Sequence, residues 1–173
     1  MQHINSSYRS IIDQQNFRNA MSKIGASVHV ITTDGIAGMA GFTASAVSSI
    51  TDEPPTVLVC INRQASAYPI FKQNGHLCIN TLCSDHEEIS RCFGGKTPMQ
   101  QRFEQGSWNT YLTGCPVLED ALVACECQIQ QVVQVGSHDI FICEVLDIHM
   151  NNDEKPALMY FQRHYHSLAS VSN

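Results

Sequence analysis

Hydrophobic and polar positions along this chain predict many short strands and few helices. Near the start, apolar residues at helical spacing predict an amphipathic helix that ends at Gly25 and covers one end of a barrel. These residues are Ile11, Ile12, Phe17, Met21 and Ile24. The run 27–33 is rich in β-branched residues and predicts a strand, and Asp34-Gly35 predicts a hairpin whose return strand delivers residues 43–46.

Further strands are predicted by continuous apolar runs or by alternation between turn residues. They span residues 57–61, 76–82, 121–135, 139–150 and 157–161. The run 66–73 predicts a helix that ends near Gly75. Ser84 and Glu87 have the spacing of a capping box, which predicts a helix over residues 85–93.

The segment 96–114 has the least regular pattern, with one helical turn at 99–103 and Trp108 as an apolar anchor. Many strands of moderate length, few helices and closely spaced turns favour a closed or partly closed antiparallel barrel over an α/β sheet. A chain of 173 residues is long enough for one domain with a substantial core. We therefore predict a single mainly β domain over residues 1–173, with peripheral helices.

The charge balance narrows the choice of partners. Ten Lys and Arg residues stand against sixteen Asp and Glu residues, and the formal net charge is -6. Because nucleic acids and acidic membranes select basic surfaces, we expect a small molecule as the partner. The N-terminus resembles no signal peptide and no apolar stretch reaches membrane-spanning length, so we expect a cytoplasmic protein.

Cysteine and histidine are frequent but do not predict a metal site. The eight cysteines lie mostly in apolar contexts, which indicates reduced core residues. Cys125 and Cys127 are two positions apart in a predicted strand, so that both side chains face one side and are expected to pack in the core. His164 and His166 lack the one-turn spacing of paired helical ligands, and we expect both at the surface or at the edge of a site.

One stretch combines several features of a binding site. From Gly41 to Ile50 the residues are mostly small or carry hydroxyl groups, which allows a ligand to approach the backbone closely. The apolar run 57–61 then stops at Asn62 and Arg63, an amide and a guanidinium that can bind an anion. This pattern predicts a ligand site between two strands; the alternative is an ordinary turn followed by a core strand.

The motifs that are missing also restrict the chemistry. No glycine-rich fingerprint lies between a strand and a helix, which argues against a Rossmann or P-loop site. No nucleophile elbow, HExxH motif or carboxylate pair supports hydrolysis. We therefore expect a cofactor to carry the reaction, with any phosphate held by hydroxyls, backbone amides and Arg63.

A set of short motifs occurs in one collinear order between about residues 17 and 168. It comprises Thr43-Ala44-Ser45-Ala46-Val47-Ser48-Ser49, Asp52-Glu53-Pro54-Pro55, Val59-Cys60-Ile61-Asn62-Arg63 with Ser66, Asn80-Thr81-Leu82, Phe93-Gly94-Gly95-Lys96, Arg102-Phe103, Gly136-Ser137-His138-Asp139-Ile140-Phe141 and Tyr160 to Tyr165. In these motifs the chain resembles the short-chain flavin reductases, the reductase components of two-component flavin-dependent monooxygenases. The resemblance is strongest to the reductase component of 4-hydroxyphenylacetate 3-monooxygenase.

The resemblance implies an FMN-binding split β-barrel, antiparallel and Greek-key-like, with a core over about residues 17–168 and a homodimeric assembly. It implies hydride transfer from NADH to FMN or FAD, and release of the reduced flavin to a separate oxygenase in aromatic catabolism. Such chemistry depends more on stacking and alignment than on acid–base groups. We expect NADH to be preferred over NADPH, because Lys72, Lys96 and Arg102 are too scattered to bind a 2′-phosphate.

The resemblance also implies a set of site residues. The isoalloxazine ring would contact Thr43, Ala44, Ser45 and Ala46; the ribityl chain and phosphate would contact Cys60, Asn62, Arg63 and Ser66; the flavin tail would contact Phe93, Gly94 and Lys96; and Ser48 and Tyr165 would be further flavin neighbours. His138 would face the nicotinamide.

Two positions depart from the family pattern. The family commonly has Gly-Asp-His where this chain has Gly136-Ser137-His138, so the carboxylate that could orient the imidazole is missing and Asp139 is a candidate substitute. The usual Phe-Ala-Gly is replaced by Phe93-Gly94-Gly95, which loosens the predicted turn. Two other functions fit the same fold, a flavoprotein with tightly held FMN and a non-catalytic flavin carrier.

Overall fold

The computed structural model describes residues 12–169, which contain four α-helices and twelve β-strands. The helices are α1 (Gln14–Met21), α2 (Tyr68–Asn74), α3 (Glu87–Gly94) and α4 (Met99–Arg102), and a 3-10 helix spans Ser84–His86. The strands are β1 (Ala26–Ser27), β2 (His29–Thr33), β3 (Ala40–Ala44), β4 (Val47–Asp52), β5 (Pro55–Asn62), β6 (His76–Thr81), β7 (Trp108–Thr110), β8 (Pro116–Leu118), β9 (Val123–Val135), β10 (His138–Met150), β11 (Ala157–Phe161) and β12 (His164–Leu168).

Seven strands form one antiparallel sheet in the order β3-β2-β6-β9-β10-β5-β4. The two edge strands, β3 and β4, are consecutive in the chain, and only Ser45 and Ala46 separate them. The sheet therefore curls until its edges approach each other, but β3 and β4 do not pair and the barrel stays split. Because β5 pairs with β10 and β6 with β9, strands distant in the sequence are neighbours, as in Greek-key sheets. The predicted mainly β split barrel is confirmed.

Apolar side chains cover both faces of the sheet. One cluster contains Ile31, Phe71 and Phe141, and a second contains Val30 and Phe93. Val30 and Ile31 are adjacent on β2, and because successive side chains of a strand point to opposite faces, each belongs to a different cluster. The second cluster fixes α3 to the sheet, and α3 carries part of the site described below.

The first helix differs from its prediction. Ile11 lies outside the described residues, and α1 spans Gln14–Met21 rather than continuing to Gly25. None of its residues is buried, and Phe17 and Met21 are exposed, so this helix does not cover the end of the barrel. The helix is instead joined to the β11–β12 hairpin, because the carbonyl of Ser22 accepts a hydrogen bond from the amide of Gln162 at 2.7 Å.

Several local predictions shift by a few residues. The β2–β3 hairpin forms at Asp34, but residues 34–39 connect the strands, so the connection is longer than a two-residue turn. The helix predicted over 85–93 begins with the 3-10 helix, and its capping box joins Cys83 and His86 rather than Ser84 and Glu87. Strands β4 and β12 were not predicted, because their residues are mostly exposed and lack an apolar alternation.

The cysteine prediction is confirmed in its main point. All eight thiols are free, and Cys78, Cys83, Cys115, Cys127 and Cys143 are buried. Burial raises the pKa of the Cys143 thiol to about 12, so this group stays protonated and packs as a small apolar side chain. Between residues 12 and 169, no helix is long and apolar enough to cross a bilayer.

Candidate functional site

A cleft of about 390 Å³ lies where the barrel is split. Its walls are the link between β3 and β4, the end of β5 with the start of α2, the end of α3, and the turn into β10. The lining residues are Phe42, Thr43, Ala44, Ser45, Ala46, Cys60, Ile61, Asn62, Ala65, Ser66, Ala67, Phe93, Gly94, Gly95, Arg102 and His138. Ten of the predicted site residues therefore meet in one place.

Small side chains form the wall at the link between β3 and β4. Ser45 and Ala46 fall between the two ladders, in which Ala44 pairs with His29 and Val47 pairs with Val59. With no bulky side chain here, a flat ligand can lie directly against the backbone.

The hydroxyl of Thr43 is already used within the fold. It donates to the carbonyl of Ser90 at 2.6 Å and so joins β3 to α3. Cys60 lines the cleft from β5, and burial raises the pKa of its thiol, which argues against a thiolate nucleophile in the cleft.

Polar groups collect at the end of β5, as the sequence predicted. Asn62 is the last residue of this strand and pairs with His138 in β10. Its side-chain oxygen accepts the backbone N–H of Gln64 at 2.9 Å, which turns the chain sharply toward α2. The same turn brings Ser66 into the cleft. The amide, the hydroxyl and the imidazole therefore face one space.

Ser137, and not Asp139, contacts the imidazole of His138. The Ser137 hydroxyl lies 2.9 Å from Nδ1 of His138. Asp139 is buried on the opposite face of β10, where its Oδ2 accepts the hydroxyl of Tyr68 at 2.6 Å. The prediction that Asp139 substitutes for the missing carboxylate is therefore not supported, because adjacent residues of a strand point to opposite faces.

An aromatic cluster fixes the end of α3 beside the cleft. The ring of Phe93 packs against Phe103 and Trp108, with centroids 5.0 and 5.5 Å away. Trp108 is thus the apolar anchor that the sequence predicted in the irregular segment. A Cβ atom at Gly94 would meet only ordinary contacts with Thr43, at 3.4 Å, so the alanine common in the family would fit here.

Arg102 lines the cleft but was not predicted as a site residue. Its side chain is buried, and its guanidinium donates to four backbone carbonyls. Nε donates to Thr97 at 2.9 Å, Nη1 to Gly41 and Phe93 at 2.9 Å each, and Nη2 to Gly95 at 3.2 Å. An isolated arginine in an irregular segment carries no signal of such a role, although Arg102-Phe103 belongs to the motifs that carried the family resemblance.

Four predicted site residues do not line this cleft: Ser48, Arg63, Lys96 and Tyr165. Ser48 and Lys96 are exposed. Arg63 instead donates to the carbonyl of Gly136 and lies 3.7 Å from Oδ1 of Asp139. Its guanidinium therefore holds the β9–β10 turn that carries His138.

Tyr165 lies behind the wall formed by β3. A separate depression contains Thr43, Ala44 and Ser45 together with Tyr160 and Tyr165. The Tyr165 hydroxyl is 2.8 Å from the hydroxyl of Ser90, which joins β12 to α3. Tyr165 thus contacts the elements that form the wall rather than the cleft itself.

One group of possible metal ligands lies outside the cleft, at Glu126, Asp147 and His149. The buried Glu126 carboxylate already accepts hydrogen bonds from the backbone of Leu112, from Thr113 and from His149. Burial alone would raise the pKa of Glu126, but these hydrogen bonds outweigh it and hold the pKa below its usual value. These hydrogen bonds give Glu126 a structural role, because they attach residues 112 and 113, which precede β8, to β9.

Comparison with known proteins agrees with the geometry. The flavin reductase like domain model matches residues 21–169. RutF, an FMN reductase (NADH) from Yersinia enterocolitica serotype O:8 / biotype 1B, is 54% identical over 168 residues, covering 96% of this chain and 92% of that protein. RutF from Escherichia coli strain 55989 / EAEC is 56% identical over 159 residues, covering 92% of this chain and 96% of that protein.

Among solved structures, the flavin reductase PheA2 is 34% identical, with a TM-score of 0.81 over 92% of this chain and 100% of that chain. The family model therefore matches most of the chain, and the relatives align over nearly their whole length. The chain belongs to the family of flavin reductase like domains.

Proposed function

We propose that this protein is an NADH-dependent FMN reductase. The observation that carries the proposal is the cleft at the split of the barrel, in which small residues of the β3–β4 link face Asn62, Ser66 and His138. Proteins named FMN reductase (NADH) share more than half of its residues over nearly the whole chain.

The lining of the cleft fits a flavin. Its volume of about 390 Å³ falls in the range of sites for cofactor-sized ligands. Thr43, Ala44, Ser45 and Ala46 offer a flat wall for the isoalloxazine ring. The residues at the end of β5 offer hydroxyl and amide groups for the ribityl chain and phosphate.

The flavin supplies the redox chemistry when it is bound, since it accepts a hydride. The chain has to align the two substrates and keep water away, which requires shape more than acid–base groups. Phe93 and Phe42 close the apolar side of the cleft. His138 stands at the exposed side, and we assign its imidazole to the nicotinamide half of NADH. No Asp or Glu lines the described cleft, which is consistent with direct hydride transfer.

We further propose that the flavin is a diffusible substrate that leaves in its reduced form for a separate oxygenase. The cleft is open and Ser45, Ala46 and Ser66 are exposed, so a bound flavin can dissociate. An oxygenase of the 4-hydroxyphenylacetate 3-monooxygenase type, and with it a role in aromatic catabolism, stays a proposal from the family resemblance. The single-domain assignment and the cytoplasmic location also stay predictions.

A homodimer is the assembly we propose. Large apolar side chains in and just after α1 and at the C-terminal ends of β9 and β10 are exposed, and a second copy of the chain would cover some of them. They include Phe17, Met21, Ile24, Val135, Ile148 and Met150. Sedimentation at micromolar concentration tests this, and an active monomer would contradict it.

The purified protein should oxidise NADH at an appreciable rate only after free FMN is added, and NADPH should give a lower kcat/KM. Colour that remains after dialysis in proportion to the protein would instead indicate a tightly held flavin. Binding of flavin without any oxidation of NADH would indicate a carrier.

A further inference from the structure

Arg102 is a buried cation for which the structure offers no anionic partner. Only 8% of the residue is exposed. Among the ion pairs of residues 12–169, none within 4.0 Å includes Arg102. Removing a charge from water is costly, and buried arginines are therefore usually paired with carboxylates. In this structure only backbone carbonyl oxygens replace the water that the guanidinium loses on burial. Such an arrangement is costly, which indicates that the arginine has a specific role at this position.

The four carbonyls show what the guanidinium holds together. Three belong to the segment 93–97, which leaves the end of α3 and forms one wall of the cleft. The fourth is the carbonyl of Gly41 in β3, the strand that leads into the neighbouring wall. Arg102 therefore fixes segment 93–97 against β3, two neighbouring parts of the cleft lining.

The geometry requires a planar fork rather than a charge alone. The four hydrogen bonds leave from three different nitrogens of the guanidinium. An ammonium carries its donors on one nitrogen and cannot reach carbonyls on several sides at once. The segment also contains two successive glycines, Gly94 and Gly95, which by themselves leave the backbone free to move.

We propose that Arg102 is a positioning residue for flavin binding, whose guanidinium fork holds segment 93–97 against β3 in the shape that receives the isoalloxazine ring. This rests on the proposed flavin reductase function. Because the fork acts through the backbone, its loss weakens the binding of every flavin, whether or not the flavin carries a phosphate.

The test is chemical rescue. Flavin affinity is measured by fluorescence titration with riboflavin and with FMN, without NADH, for wild type, Arg102→Ala and Arg102→Lys. We expect both variants to bind both flavins at least tenfold more weakly than wild type. Millimolar guanidinium chloride, far below denaturing concentrations, should recover most of this loss in Arg102→Ala, whereas ammonium chloride at equal ionic strength should not.

Arg91→Ala serves as the matched control, because Arg91 belongs to α3 but is exposed and pairs with Glu87. Guanidinium should not change its flavin affinity. If Arg102→Ala does not fold, Arg102→Lys with an unchanged Tm decides the question.

Three results would overturn the proposal: wild-type affinity in Arg102→Lys, a loss confined to FMN, or no response of a folded Arg102→Ala to guanidinium. A wild-type protein that binds no flavin would instead refute the proposed function itself.

Discussion

The ring of Phe93 occupies the space in which a side chain at residue 41 would begin. A Cβ atom built on Gly41 would lie 2.5 Å from Cε1 of this ring. Phe93 cannot move aside, because it is buried against Phe103 and Trp108. We expect Gly41→Ala to lower the free energy of unfolding by about 1–3 kcal/mol, as overpacked cores do, and to weaken FMN binding.

Chemical denaturation and FMN titration measure both effects. Gly25→Ala is the control, since a Cβ atom there meets nothing within 4 Å. Equal stability of the two variants would show that the Phe93 ring can shift after all.

Two roles are possible for Arg63. The sequence predicts a contact to the flavin phosphate, whereas the structure shows contacts that support the β9–β10 turn. Its guanidinium holds the carbonyl of Gly136 and lies near Asp139. If it mainly supports the turn that carries His138, Arg63→Ala should weaken riboflavin and FMN binding alike, by about tenfold. Fluorescence titration with the two flavins decides, and a loss for FMN alone would support the phosphate contact instead.

Substitution of Ser137 should affect the KM for NADH rather than the affinity for flavin. Its hydroxyl lies 2.9 Å from Nδ1 of His138. In the family pattern described above, this position is commonly an aspartate. Loss of one hydrogen bond of about 1 kcal/mol in Ser137→Ala should raise the KM for NADH about fivefold and leave FMN affinity unchanged. Ser137→Thr retains the hydroxyl and should behave as wild type in steady-state assays. An unchanged KM for NADH in Ser137→Ala would show that Ser137 does not orient His138 for NADH binding.

His29 makes the fold sensitive to acid. Burial lowers the pKa of His29 from 6.5 to about 4. The folded state therefore favours the neutral imidazole over the charged form. The contribution of His29 to the free energy of unfolding is fully present above pH 6.5 and is lost as the pH falls from 6.5 through 4. The full difference corresponds to about 3 kcal/mol in the free energy of unfolding.

Denaturation curves at several pH values should show a flatter profile for His29→Gln, whose side chain does not titrate. His166→Gln, at an exposed position, is the control and should retain the wild-type slope. A wild-type slope in His29→Gln would assign the acid sensitivity to other groups.

Strands and helices were predicted well where the local sequence carries a clear signal. The alternation in β9 and β10 and the glycine after α2 define those elements almost to the residue. β4 was missed, because five of its six residues are exposed and its place in the sheet depends on pairing with β5. The capping box moved to Cys83 because a 3-10 turn precedes the helix.

The site was predictable mainly where the sequence is unusual. The sequence predicted a ligand site at the small-residue link around Ser45 and at the polar end of β5, and the structure brings both into one cleft. The role of Arg102 was not, because its partners are backbone carbonyls of Gly41, Phe93, Gly95 and Thr97, which leave no trace in the identity of those residues. Contacts of this kind appear only in three dimensions.

The strand order also makes the candidate site a late product of folding. β3 and β4 are joined by two residues, yet they meet at the cleft only when the five strands between them in the sheet are all in register. Those pairings bring together segments far apart in the chain, such as β2 with β6 and β5 with β10, and they form slowly because long loops have to close first. Quenching of flavin fluorescence during refolding would therefore report completion of the whole sheet, whereas circular dichroism would respond earlier.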